Sequence, residues 1–175
     1  MFTRRDLYRY GSVVLGGALA VGLAIPGVAY VLDPLRRRGE SSATQKLTRL
    51  SALKPGVPQA FPIIAERQDA WVKYPPEPVG TVWLVRQPKG VNPPVVAFTA
   101  ECPHLGCSIT ETGDGKTFVC PCHLSKFDFR GKPLNDLSPR PMDTLDVELT
   151  QDDDPGVVVR FTHYRPQTKE KIPLV

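Results

Sequence analysis

The chain has 175 residues, with 22 Lys plus Arg against 18 Asp plus Glu, a formal charge of +4 and nineteen prolines. The excess charge is local: residues 1–38 hold six Arg against two Asp, whereas residues 39–175 hold sixteen basic and sixteen acidic residues. A basic balance confined to the first segment gives no reason to invoke nucleic acid, and the prolines argue against long helices in the remainder.

Tyr10 to Leu32 form a 23-residue run without a charge. As a helix it would span roughly 35 Å, enough for a bilayer core of about 30 Å. It also exceeds the 7–15 residues of an ordinary cleavable signal core. Gly16, Gly17, Ala20 and Ala24 would let a neighbouring helix approach closely. Residues 10–32 are therefore predicted to be a transmembrane anchor. Arg4, Arg5 and Arg9 precede the run and Arg36, Arg37 and Arg38 follow it, so the positive-inside count is a tie. Thr3-Arg-Arg-Asp-Leu-Tyr-Arg9 resembles a twin-arginine export signal. That resemblance implies a cytoplasmic segment over residues 1–9, a single uncleaved pass through the inner membrane, and the rest of the chain on the periplasmic side.

Residues 33–45, small and polar from Gly39 onward, read as a flexible tether; seven such residues would span about 14 Å. From Gln45 onward roughly 130 residues remain, adequate for one small core. Short β-type runs recur at Phe61–Ala65, Thr81–Val85, Val95–Thr99, Thr117–Val119, Leu145–Leu149 and Val157–Thr162, most of them bounded by Pro, Gly or Asp turns. The expected fold is an all-β antiparallel domain over residues 46–175. Its base sheet would come from 60–99 and 145–162, with a subdomain inserted at about 100–142. Asp152–Gly156 reads as a solvated hairpin turn without calcium-loop spacing, residues 164–175 as a tail along the domain, and His163 as a surface or strand histidine.

All four cysteines and two of the three histidines fall within 22 residues, as Cys102-Pro-His104-Leu-Gly-Cys107 and Cys120-Pro-Cys122-His123-Leu-Ser125. A Cys-x-His paired with a Cys-x-x-His is the ligand set of a Rieske 2Fe–2S centre, in which two His replace two Cys on one iron. The predicted metal ligands are Cys102, His104, Cys120 and His123, around one 2Fe–2S cluster. Two thiolates leave the oxidised cluster formally neutral, where four would leave it at −2, so an electron enters more readily. Such centres span roughly −150 to +300 mV, against roughly −400 mV for plant-type ferredoxins. Each imidazole also keeps a second nitrogen for a proton, which makes His104 and His123 the expected catalytic residues and a hydroquinone the natural donor. A structural zinc site accepts two Cys and two His as well. Zinc gives no reason for the interleaved Cys107 and Cys122, or for Gly106 and Pro121 beside the ligands.

The two boxes resemble the cluster-binding boxes of Rieske iron–sulfur subunits from quinol-oxidising cytochrome bc complexes. The resemblance implies a Cys107–Cys122 disulfide, a cover over the cluster from Ser138-Pro-Arg-Pro141, and a Ser125 hydroxyl bonded to a bridging sulfide. A cross-link closing about 15 residues could stabilise the boxes by roughly 3 kcal/mol. Disulfide formation requires an oxidising compartment, and a folded-protein exporter would carry a preassembled cluster there. Two positions depart from the family's Gly-Ser-x-Tyr: Leu124 stands for Gly and Phe127 for Tyr. Losing the tyrosine donor should lower the potential towards a menaquinol-type centre. Leu105 would either join an apolar docking collar or pack between the loops.

The implied function is a membrane-anchored electron-transfer subunit of a quinol:cytochrome c oxidoreductase. It would take an electron and a proton from quinol and pass the electron to a c-type cytochrome, while cytochrome b takes the second electron. The chain would act only within a dimeric multi-subunit complex. The alternatives are the small Rieske subunit of an arsenite-oxidase-like molybdenum enzyme, and a zinc-binding interaction module.

Overall fold

The computed structural model describes residues 3–36, 42–66, 68–69 and 72–174, and divides into a helical and a β unit. Helix α1 runs from Arg4 to Arg36. Thr3 Oγ1 accepts the Asp6 N–H, while Asp6 Oδ2 accepts the Thr3 N–H and hydroxyl, at 2.6–3.2 Å. This reciprocal capping box starts the helix and places Arg4 and Arg5 in its first turn, so the helix extends beyond 10–32 at both ends. Its stretch Arg4–Asp33 is long and apolar enough to cross a membrane, and Val13, Leu19 and Leu23 are uncovered along it.

The strands are β1 (Ser42–Arg49), β2 (Pro58–Ala65), β3 (Gln68–Asp69), β4 (Val72–Lys73), β5 (Glu77–Arg86), β6 (Val95–Thr99), β7 (Thr110–Glu111), β8 (Thr117–Cys120), β9 (Ser125–Asp128), β10 (Thr144–Leu149) and β11 (Gly156–Thr162); β3 and Val72 of β4 belong to the helical unit and the rest to the β unit. The expected fold class holds: antiparallel β structure preceded by one apolar helix that could span a membrane. Six strands form one sheet in the order β1-β11-β10-β6-β5-β2, and β7-β8-β9 form a second.

Strand β1 corrects the predicted tether. Ser42 to Gln45 pair with Thr162 to Val159 along the edge of the large sheet, because backbone groups of short polar residues pair as readily as those of apolar ones. At the other end, Asp33–Arg36 remain helical. Of the tether 33–45, residues 37–41 lie outside the described residues. Gln45 Oε1 accepts the Ile64 N–H at 3.1 Å, which draws the edge strands β1 and β2 together.

Strands β5 and β6 are the shared wall of the unit. Val82, Leu84, Val95 and Ala97 face a core with Ile63, Val157, Val159 and Phe161. Their neighbours Val85 and Phe98, with Trp83 and Val96 packed alongside, face a second core with Cys102, Ile109, Phe118, Cys120, Phe127 and Met142. Burial on both faces explains why these runs are apolar throughout rather than alternating. Gly80 is required beside the first core, since a Cβ there would collide with the buried Phe161 ring. Thr144 and Leu145 of β10 pair with Phe98 and Ala97 of β6. Residues 100–143 therefore leave the large sheet and return beside their point of departure, carrying the small sheet and both cysteine boxes.

The predicted turn at Asp152–Gly156 joins β10 to β11, and Asp154 also accepts the Ser51 N–H at 3.2 Å and its hydroxyl at 2.6 Å. Beyond β11 the chain folds back on itself: Arg165 donates to Ile172 and Leu174 to His163, both at 2.9 Å.

Candidate metal centre

The two boxes are built alike. In the first, Cys102 N–H donates to the Cys107 carbonyl at 2.9 Å, and Gly106 N–H returns to the Cys102 carbonyl at 2.8 Å. In the second, Cys120 pairs with Ser125 across the β8–β9 hairpin, and Leu124 N–H returns to the Cys120 carbonyl at 2.9 Å. Each loop starts Cys-Pro, and each closes on a left-handed residue four positions after the cysteine, Gly106 at φ 77° and Leu124 at φ 62°. Leucine therefore occupies a conformation that favours glycine, which is the structural meaning of its departure from the family pattern. The side-chain amide of Asn135 holds the Leu124 carbonyl at 2.8 Å, and its Oδ1 accepts the Lys126 N–H at 3.2 Å.

The structure pairs Cys107 with Cys122, with their Cα atoms 6.5 Å apart. Cys102 and Cys120 are free and buried. The Cys120 sulfur lies within 4.8 Å of both disulfide sulfurs; those two are spent on the cross-link, so they offer no thiolate to a metal. Burial pushes the Cys102 thiol pKa upward, and the neighbouring Cys120 adds to the rise. The His104 and His123 rings stand 4.9 Å apart at 78° to one another. His104 is half-buried and His123 exposed. Two polar atoms here are buried without a hydrogen-bond partner, His104 Nδ1 and Ser125 Oγ. Phe127 is fully buried in the core that also holds Cys102 and Cys120. Leu105 and Leu124 are 43% and 60% exposed.

His163, read from sequence as a surface or strand histidine, approaches the first box. Its Nδ1 lies 2.6 Å from Glu101 Oε1, next to Cys102, and that carboxylate raises the imidazole pKa against the opposing effect of burial. Sequence reasoning missed Asn135 and Glu101, which carry no local signal; Arg140 lies in the segment Ser138–Pro141 that the resemblance singled out as a cover.

A family model described as Rieske [2Fe-2S] domain matches residues 45–146, more than half of the chain. The menaquinol:cytochrome c reductase iron-sulfur subunit of Geobacillus thermodenitrificans is 26% identical over 151 residues, covering 84% of this chain and 86% of that one. Its namesake from Bacillus subtilis (strain 168) is 28% identical over 152 residues, covering 84% and 86%. A chain of a hyperthermophilic respiratory Complex III structure shares 20% identity with a TM-score of 0.43, covering 86% of this chain and 98% of that chain.

The donors present fit a 2Fe–2S cluster. His104 Nδ1 and Ser125 Oγ, buried and unpartnered, would be costly without a group to satisfy them, and Cys102 and Cys120 supply two free sulfurs beside them in the sequence boxes. A coordinating metal deprotonates a thiol that burial otherwise keeps neutral.

Proposed function

We infer that this chain, which belongs to the Rieske [2Fe–2S] domain family, is the membrane-anchored electron-transfer subunit of a quinol:cytochrome c oxidoreductase, with menaquinol as donor. Two relatives named as menaquinol:cytochrome c reductase iron-sulfur subunits support this reading by matching 84% of the chain, beyond the family span alone. No observation favours the arsenite-oxidase alternative. The observation that carries the assignment is that two like-built boxes leave Cys102 and Cys120 free and buried and set the His104 and His123 rings 4.9 Å apart, with one His104 nitrogen buried and unpartnered.

In this reading Cys102, His104, Cys120 and His123 hold the cluster. When bound, the cluster supplies one-electron redox chemistry at potentials between roughly −150 and +300 mV. His104 turns Nδ1 inward and leaves Nε2 as the nitrogen that meets a quinol hydroxyl and receives its proton; the exposed His123 offers a second such site. Ser125 Oγ, buried and otherwise unpartnered, supplies a hydrogen-bond donor towards the cluster sulfur. Phe127 supplies none, which supports a lower-potential quinol. Leu105 and Leu124 form an apolar collar that excludes water from the imidazoles while quinol is bound.

The anchor lies within α1, the amino terminus faces the cytoplasm, and the β unit stands on the periplasmic side, joined through residues 37–41. Cytochrome b and a c-type cytochrome are its partners in a dimeric complex, outside which it does not turn over. Low-temperature EPR titration of native membranes, with and without a quinol-site inhibitor, tests the reading. A localised mixed-valence signal that responds to the inhibitor is expected, with two irons and two acid-labile sulfides per chain. One zinc and no iron overturns it, and co-purified molybdopterin without b-type haem redirects it to the alternative.

A further inference from the structure

The segment Ser138-Pro-Arg-Pro141 and the stretch beyond β11 meet at one buried guanidinium. Arg140 and Asp143 are 6% and 4% exposed. Arg140 Nε donates to Asp143 Oδ1 at 2.9 Å and Nη2 to Oδ2 at 2.7 Å. Nη1 donates to the Thr168 carbonyl at 2.6 Å and its hydroxyl at 3.0 Å, and Nη2 also donates to the Arg165 carbonyl at 2.9 Å. A guanidinium has five N–H donors, so all are used, and most go to residues 165–168. The fork is anchored in turn: Thr99 N–H donates to the Asp143 carbonyl at 2.9 Å, and the Ser138 hydroxyl to the Arg140 carbonyl at 2.7 Å.

The same stretch grips the first cysteine box. Gln167 N–H donates to the Pro103 carbonyl at 2.9 Å, and His163 pairs with Glu101. Cys102 is thus bracketed on both sides by one segment. Gln167 does this at φ 61°, a left-handed conformation that persists in a bulky residue only where its surroundings over-determine it. The family match ends at residue 146, so Arg140 and Asp143 lie inside the matched span and the braced stretch 163–168 outside it.

We propose that Arg140 is a positioning residue for the metal centre: its guanidinium fastens residues 165–168, and through them Pro103, so that the first box and the Ser138–Pro141 segment hold one arrangement around Cys102 and His104. This rests on the reading that those residues hold a cluster. A lysine cannot replace Arg140, because an ammonium is a point donor without the planar fork. With the brace loose, water reaches the site and stabilises its more negative reduced state, so the midpoint potential rises.

The test uses the full-length protein with its cluster. Arg140→Lys breaks the fork; Gln167→Pro, which lacks the N–H to Pro103 and cannot adopt φ 61°, releases the stretch from the first box; and Lys169→Ala on the exposed tail surface is the control. Amide exchange, iron loss to a chelator and the redox midpoint are measured. Both test variants should exchange at least tenfold faster across 163–168 and 102–107, lose iron at least tenfold faster and show a raised midpoint, while the control matches the parent. Faster exchange in the tail alone, with box and midpoint unchanged, overturns the proposal, as does parent-like behaviour throughout. If Arg140→Lys does not fold, Gln167→Pro decides by the same criteria. A parent protein without iron overturns the cluster reading instead, and exchange at 102–107 then decides whether the brace exists.

Discussion

The side-chain amide of Asn135 donates to the carbonyl of Leu124 at 2.8 Å, and so steadies a leucine held at φ 62° directly after His123. A left-handed backbone costs an L-residue about 1–2 kcal/mol, and Leu124, at 60% exposure, recovers little by burial. Leu124→Gly should therefore raise stability by about 0.5–1 kcal/mol, after allowing for glycine's larger unfolded-state entropy. Asn135→Ala should lower it by about 1 kcal/mol. Thermal unfolding of the two cluster-loaded variants checks both signs; a Leu124→Gly protein that melts earlier than the parent rules out strain at this position.

Phe127 is fully buried among Phe98, Phe118, Cys102 and Cys120. A hydroxyl added there must find an acceptor, and a cysteine sulfur that ligates the cluster is the acceptor the proposed function provides. One hydrogen bond stronger in the reduced state by about 1 kcal/mol corresponds to roughly 40 mV. Phe127→Tyr should raise the midpoint by that order. An unchanged midpoint in a redox titration would assign Phe127 to packing alone.

The Cys107–Cys122 link has a sequence separation of 15, for which the chain-entropy estimate is about 3 kcal/mol. It also ties the end of one box to the middle of the other. The double replacement Cys107→Ala/Cys122→Ala should lower the melting temperature and hasten iron loss to a chelator. Calorimetry of the parent with and without reductant should reproduce the same difference, and equal melting curves would show that the link adds nothing to the closed boxes.

Asp114 organises the turn between β7 and β8. Its Oδ1 accepts the Lys116 N–H at 2.7 Å, the Thr117 N–H at 2.9 Å and the Thr112 hydroxyl at 2.9 Å. These bonds, the Lys116 N–H first, hold its pKa at about 2 against an ordinary 3.8. A depressed folded-state value stabilises the turn above the ordinary pKa and is lost as pH falls through the folded one. The Lys116 and Thr117 amides should therefore stay protected near pH 4 and lose protection as pH falls towards about 2. Asp114→Asn should abolish that dependence, as read by amide exchange; the same pH profile in the variant would contradict the assignment.

The apolar runs at Thr81–Val85 and Val95–Thr99 were legible as strands because both faces of β5 and β6 are buried, leaving a continuous hydrophobic signature. Strand β1 was not legible. Ser42–Gln45 carry no apolar pattern, and their strand state comes from hydrogen bonds to Val159–Thr162, more than a hundred residues away. The position of Leu124 was legible as a departure from the family pattern, but its left-handed backbone emerged only with the closed β8–β9 hairpin.

By itself the sequence determined the candidate donor set, the charge-free helix and the antiparallel β class, because each is written in short-range spacing: Cys-x-His, Cys-x-x-His, 23 residues without charge, and brief runs between turns. Only the tertiary structure decided how the centre is held. The bonds from Arg140 to Thr168 and from His163 to Glu101 join residues 28 and 62 positions apart. Contacts of that range leave no periodicity in the chain, since they depend on which loops the packed cores bring together.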